Sequence, residues 1–180
     1  MHLLIFLFLC FFLQINTSKI KGVNLGSYFV LEPYINPSLF YQFIGINEDI
    51  IGDSYRFCEY LGPVEANKQL IKHWDNWITF DKLNQLKNAG INTVRIPVAD
   101  WMFISYDVYD IVENNTKCFS KSLLYLDKLF EYCNILNLHI ILDIHALKDS
   151  QNGFDNSGKA MNYKSYLKNN ILYFDHWNEK

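Results

Sequence analysis

Charge is what this chain has least of. Only 19% of its 180 residues are Asp, Glu, Lys or Arg, while 50% are hydrophobic. That balance excludes a disordered, solvated chain, which holds too little apolar surface to offset the entropy lost on ordering. Sixteen basic residues against nineteen acidic ones leave a net charge of −3. No basic stripe is available for a phosphate backbone, so no nucleic-acid partner is expected. Hydrophobic runs are short as well. The longest, Met1–Leu13, falls well under the roughly 20 apolar residues that cross a bilayer. Cysteine is scarce, with Cys10, Cys58, Cys118 and Cys133 only. They form no C-x-x-C pair and no Cys/His cluster, so no metal is expected. There is no internal repeat and no low-complexity linker. The length is that of one domain large enough to bury a core.

What the chain has in abundance is aromatic surface: 14 Phe, 12 Tyr and 4 Trp. A large aromatic core is one reading, and a sugar-facing surface of flat rings is the other. Composition favours the core. Met1–Leu13 (MHLLIFLFLCFFL) has the length of a signal-peptide apolar region, and Thr17 or Ser18 supplies a small residue before cleavage. Residues 1–18 are therefore read as a secretion signal and 19–180 as the folded part, with no membrane contact once the signal is gone. Loss of Cys10 leaves three cysteines, which in a secreted protein means a free thiol, an intermolecular bond or a missing partner. Asn114-Asn115-Thr116 is a glycosylation sequon, whereas Pro37 spoils Asn36-Pro37-Ser38.

Periodicity orders the rest. Lys19–Leu25 reads as a short strand broken at Gly26-Ser27. A long loop over Glu32–Pro63 holds one helical stretch near Ser54–Leu61, and Lys68–Ile78 is helical. Thr79 fits an N-cap for a helix that Gly90 closes. Ile91–Val98 and His139–His145 are strands by their β-branched content, and Leu123–Leu136 is an amphipathic helix. Strands alternating with helices predict parallel βαβ units, with the chemistry at the strand C-termini. Strand period then sorts the side chains. Val94, Ile96 and Val98, with Ile140, Leu142 and Ile144, form the helix-facing sets. Arg95, Asp143 and His145 share the opposite face, as an ion pair or as a functional cluster. His73 and His139 attract no role.

Four segments carry a more specific signal. GVNLGSYFVLEPYINPSLF (Gly22–Phe40), HWDNWIT (His73–Thr79), NTVRIPVADW (Asn92–Trp101) and LDIHALKDSQNGFDNSG (Leu142–Gly158) resemble, in order, the exo-β-1,3-glucanases of glycoside hydrolase family 5. The resemblance implies an α/β (β/α)8 TIM barrel, of which the first three or so β/α units are present, and a secreted or cell-wall-associated enzyme that is a monomer at full length. It implies a retaining hydrolase of β-1,3-glucan, whose two carboxylates would stand about 5–5.5 Å apart. It implies no cofactor. The acid/base of the family lies in an Asn-Glu-Pro motif after the fourth strand and the nucleophile ends the seventh. Neither is matched here. Asn178-Glu179-Lys180 lacks the proline and a preceding apolar strand, so it is not read as the acid/base. The expectation is an N-terminal part, inactive by itself, with an uncovered strand edge that promotes aggregation.

Carried over residue by residue, Glu32 of the LEP motif would bind hydroxyls of the terminal glucose. Arg95 would hold the nucleophile and favour its ionised form. His145 would hydrogen-bond the sugar at the cleavage point, and Asp155 and Asn156 would line the same pocket. Phe154 would clamp its entrance, and Gln151-Asn152-Gly153 is turn chemistry. The sequence departs from the family at Ser27 and Tyr28, where Gly and Trp are usual, at Ala146 for Gly, and at Lys148-Asp149 for Pro-Gly. Two other readings remain open at this point: a non-catalytic glucan-binding or cell-wall remnant using Phe154, Trp101 and the tyrosines, and a transglycosylase of the same family.

Overall fold

The computed structural model describes residues 19–45, 52–103, 112–113, 116–147 and 150–160. The expected signal segment, the Asn114 sequon and Asn178-Glu179 lie outside the described residues.

The chain forms β1 (Gly22–Asn24), α1 (Ser54–Trp77), α2 (Phe80–Asn88), β2 (Thr93–Ala99), a two-residue hairpin of β3 (Val112–Glu113) and β4 (Thr116–Lys117), α3 (Ser122–Ile135) and β5 (His139–Ala146). The three longer-range strands make a parallel sheet in the order β1-β2-β5, with Asn24 opposite Arg95 and Arg95 opposite Ile141. This is the βαβ arrangement expected, although β1 is shorter than the sequence suggests.

Each helix boundary has a local cause. Asp53 caps α1 by accepting from the Arg56 amide, and Thr79 caps α2 by accepting from the Lys82 amide. Gly90, at φ 90°, supplies the left-handed turn after α2. The two helical stretches expected on either side of Gly62-Pro63 are joined into α1 across a kink. Gly62 takes φ 71° and ψ 156° there, a conformation that costs glycine little. Asn67 secures the bend by donating to the Pro63 and Lys117 carbonyls at 2.7 Å each, while its oxygen accepts from the Ser120 amide at 3.0 Å.

Val94, Ile96 and Val98 are fully buried beneath the helices, with Leu83 of α2 and Leu126, Leu129 and Cys133 of α3. Trp74 of α1 is buried too, and it exchanges hydrogen bonds with Tyr28: its indole N–H donates to the Tyr28 carbonyl at 2.8 Å, and the Tyr28 hydroxyl donates to the Trp74 carbonyl at 3.1 Å. Phe40, Phe43 and Phe57 meet edge to face with centroids 5.9–6.2 Å apart. Most described aromatics thus serve the core, as composition favours.

Among the alternatives left open for the odd cysteine, the structure has the free thiol: Cys58 and Cys118 form a disulfide, and Cys133 is a buried core side chain. One expectation changes, and it concerns β5. Ile140, Leu142 and Ile144 do not lie under helices; they are 36%, 44% and 63% exposed, and Ile141 on the other face is 47% exposed. Among the described residues β5 pairs with β2 alone. A parallel strand is buried on both faces only where crossovers flank it on both sides, and α3 provides one.

Candidate functional site

The face of the sheet opposite the helices carries a line of polar side chains. The Arg95 guanidinium donates to the Asp143 carboxylate at 2.6 Å and to the Asn24 side-chain oxygen at 3.3 Å. His145 Nδ1 stands 2.9 Å from the same Asp143 oxygen. Arg95 and Asp143 are each about a third exposed or less, so the cluster is paired yet open to solvent. The Arg95–Asp143 ion pair read from the sequence is present, and His145 adjoins it. Register explains how. Between β2 and β5, Val98 faces Ile144 while Ala99 faces Ala146, so His145 is the extra residue of a bulge. Bulges re-aim side chains at strand ends, and this one lies at the C-terminal end of β5.

A second group is built by loops. Glu32 is buried, and its carboxylate accepts from the Ser27 amide at 3.2 Å and from the Tyr34 hydroxyl. The hydrogen bond to Glu32, with burial second, pushes the Tyr34 phenol up to about 12, and the field of Asp155 contributes. Tyr34 is thus a standing donor toward Glu32. Ser27 holds φ 55°, the left-handed region that favours glycine. That accounts for the departure from Gly: the Ser27 hydroxyl offsets the strain by accepting from the Glu32 amide at 3.0 Å.

The 150–160 loop is fixed from both ends. Gln151 donates to the His145 carbonyl at 2.7 Å and accepts from the Leu147 amide at 3.1 Å. At the far end Asp53 accepts from the Ala160 amide at 2.8 Å, and Arg56 donates to both Asp53 and the Ala160 carbonyl. Burial pushes the Asp53 carboxyl up, against the lowering effect of these donors. Inside the loop, Ser150, Asn152, Asn156 and Ser157 hydrogen-bond one another, which is the turn chemistry expected of this stretch. Phe154 is left 68% exposed, and Asn156 spends its oxygen on Asn152 at 3.1 Å.

Sequence reasoning therefore named Glu32, Arg95, His145, Phe154, Asp155 and Asn156, and missed Asn24, Tyr34 and Asp53 as their supports. Asp53 was detectable as a capping residue before the Ser54–Leu61 stretch. Tyr34 was not, because its contact depends on the turn in which the Ile35 and Asn36 amides both donate to the Glu32 carbonyl at 3.0 Å. His73, without a sequence role, is buried beside this turn. A separate groove of about 600 Å³ lies between residues 36–42 and α1, lined by Asn36, Gln42, Gln69, Lys72 and Trp77 among others. None of the nominated residues lines it. No group of three or more His, Cys, Asp or Glu that would hold a metal occurs among the described residues.

Residues 63–180 match the family Cellulase (glycosyl hydrolase family 5). The chain is 42% identical over 151 residues to a glucan 1,3-beta-glucosidase of Candida oleophila, covering 83% of this chain and 34% of that protein. It is 38% identical over 163 residues to the sporulation-specific glucan 1,3-beta-glucosidase of Saccharomyces cerevisiae, covering 88% and 35% respectively. Among solved structures, the rutinosidase of Aspergillus niger superposes with a TM-score of 0.62 at 27% identity, over 80% of this chain and 37% of that one. The chain thus spans about a third of the length of the relatives it matches.

Proposed function

The chain belongs to glycosyl hydrolase family 5, and from that premise we propose that it forms the sugar-recognising part of a secreted β-1,3-glucan hydrolase of the retaining type. The observation that carries this reading is the convergence of Arg95, Asp143 and His145 at the C-terminal side of a parallel sheet, where α/β barrels bind substrate. Glu32, oriented by Tyr34 and Ser27, supplies a buried carboxylate, which suits a sugar's vicinal hydroxyls better than any apolar ligand. Phe154 offers an exposed ring for the C–H face of a pyranose. Arg95 keeps donors beyond those spent on Asp143 and Asn24, so it remains able to hold an anionic nucleophile and favour its charged form.

Chemistry is a separate matter from recognition. A retaining glycosidase needs two carboxyl groups about 5–5.5 Å apart, one as nucleophile and one as acid/base. The sequence contains no Asn-Glu-Pro tripeptide, and two carboxylates of the described site are engaged as supports, Asp143 by Arg95 and Glu32 by Tyr34. The chain by itself is therefore proposed to bind glucan without turning it over. Secretion fits the Cys58–Cys118 disulfide, since such bonds persist in oxidising compartments. No helix among the described residues is long and apolar enough to cross a membrane.

Calorimetric titration with laminari-oligosaccharides tests the reading. Binding is expected for β-1,3-linked chains with no release of glucose from laminarin. Arg95→Ala should weaken binding about tenfold, the loss of one charged hydrogen-bonding group. Unchanged affinity in that variant would move the site elsewhere, and glucose release by the chain would end the proposal of binding without turnover. Tyr34→Phe makes a smaller, sharper test. The removed hydroxyl orients Glu32, and Tyr34 is 66% exposed. Affinity should fall about fivefold, while the urea midpoint stays close to that of the parent chain.

A further inference from the structure

We propose that Asp143 is a positioning residue that fixes His145 in its Nδ1–H tautomer and leaves Nε2 bare, as an acceptor for a ligand hydroxyl. The nature of the ligand rests on the glucan reading; the tautomer does not. Among the described residues, two groups face His145 Nδ1. Asp143 Oδ2 is 2.9 Å away and Arg95 Nη2 is 3.3 Å away. A carboxylate oxygen only accepts and a guanidinium nitrogen only donates, so the two neighbours demand opposite states of Nδ1. The shorter, charge-assisted contact decides in favour of the proton. A bare Nδ1 would instead point its lone pair at a carboxylate oxygen at hydrogen-bond distance. In an imidazole the state of one nitrogen sets that of the other, so Nε2 of the neutral ring is an acceptor.

The bulge gives this arrangement its cause in the fold. Asp143 and His145 are two apart on β5, and the extra residue in the register between β2 and β5 is His145 itself. Without the bulge the ring would continue up the strand. With it, Nδ1 turns back onto the oxygen that Arg95 also uses. One carboxylate oxygen thus orients both side chains, a hub that the strand alternation alone did not reveal. The consequence for recognition is directional. A neutral His145 with a bare Nε2 reads a ligand group that donates, such as a sugar hydroxyl, and disfavours an ether or carbonyl oxygen, which can only accept.

Long-range proton–nitrogen correlation spectra of the ¹⁵N-labelled chain decide this, taken at about pH 8, where free imidazole is neutral. His145 is expected to show Nδ1 protonated and Nε2 bare, favoured by about tenfold, the ratio one hydrogen bond to a charged group sets. Asp143→Ala leaves Arg95 as the remaining neighbour of Nδ1, and the tautomer should flip to Nε2–H. Asp143→Asn retains an acceptor oxygen and should restore Nδ1–H. An Nε2–H, doubly protonated or averaged ring in the parent chain overturns the proposal, and so does an Nδ1–H ring that survives Asp143→Ala. If the alanine variant does not fold, the parent and asparagine spectra still decide it. Titrating laminaritriose into the same samples tests the glucan reading separately: a tautomer as expected with no binding overturns that reading alone.

Discussion

Reducing the Cys58–Cys118 disulfide is expected to lower the unfolding free energy by about 4 kcal/mol, the chain-entropy value for a closed loop of this size. The two cysteines lie 60 positions apart, and the segment they close contains α1 beyond its kink, all of α2 and all of β2. Reduction restores the freedom of that whole segment to the unfolded chain. Single domains hold only about 5–15 kcal/mol in total, so the loss would bring this one near its limit. The bond also spans the weakest point of α1. Cys58 precedes Gly62, while Asn67 and Cys118 hold the other side of the bend through β4. Urea unfolding with and without reductant measures the effect, with the Cys58→Ala/Cys118→Ala double variant as a control for the reductant. Cys133 should not interfere. It is fully buried, and burial pushes its thiol up to about 11, so almost no thiolate is present to exchange. An unchanged urea midpoint on reduction would show that the α1 bend is held by Asn67 and packing alone.

The same region shows where the sequence stops being informative. Alternation on β2 separates Val94, Ile96 and Val98 from Thr93 and Arg95, and this is legible because one face is covered by helices. The cap at Thr79 and the stop at Gly90 are legible because they are local. Gly62-Pro63 is also a local signal and reads as a break. Gly62 does leave helical geometry there; what the local signal does not reveal is that Asn67 and the disulfide, partners far along the chain, fix both sides of the bend. Cysteine pairing cannot be deduced from spacing at all. On β5, alternation identifies the Asp143–His145 face correctly, yet it assigns Ile140, Leu142 and Ile144 to a buried set. Pattern records which face a strand offers; burial depends on what stands opposite. The candidate residues divide in the same way. Arg95 and His145 follow from strand period and Glu32 from a motif. Tyr34 and Ser27 act through a turn geometry that residue identity does not encode.

Acid is expected to remove about 3 kcal/mol of stability through His73 alone. Burial is the leading cause that holds this imidazole down to about 4, against an ordinary value of 6.5. A depressed histidine makes the folded state bind fewer protons than the unfolded one. Its contribution is therefore fully present above about pH 6.5 and is lost as pH falls toward 4. The surroundings accept only the neutral ring. Nε2–H donates to the Ser27 carbonyl at 2.8 Å, and Nδ1 accepts from the Asn36 amide at 3.1 Å. In the observed orientation the Asn36 oxygen accepts from the Ser38 hydroxyl at 2.5 Å, which presents the side-chain NH2 to the ring. A proton on Nδ1 would set two donors against each other. Trp77 stacks on the ring at 5.8 Å, and the charge of Lys82 adds to the cost of protonation. The effect reaches the site, since Ser27, which receives the His73 proton donor, also donates its amide to Glu32. Acid should therefore loosen Glu32 before the sheet is lost. Urea unfolding at a series of pH values from 4 to 7, with His73→Gln beside the parent chain, isolates the contribution, because the other titrating groups are common to both. The parent should lose the additional stability across this window and the variant should not. Parallel slopes, or a His73 resonance titrating near 6.5, would show that the ring accommodates its charge.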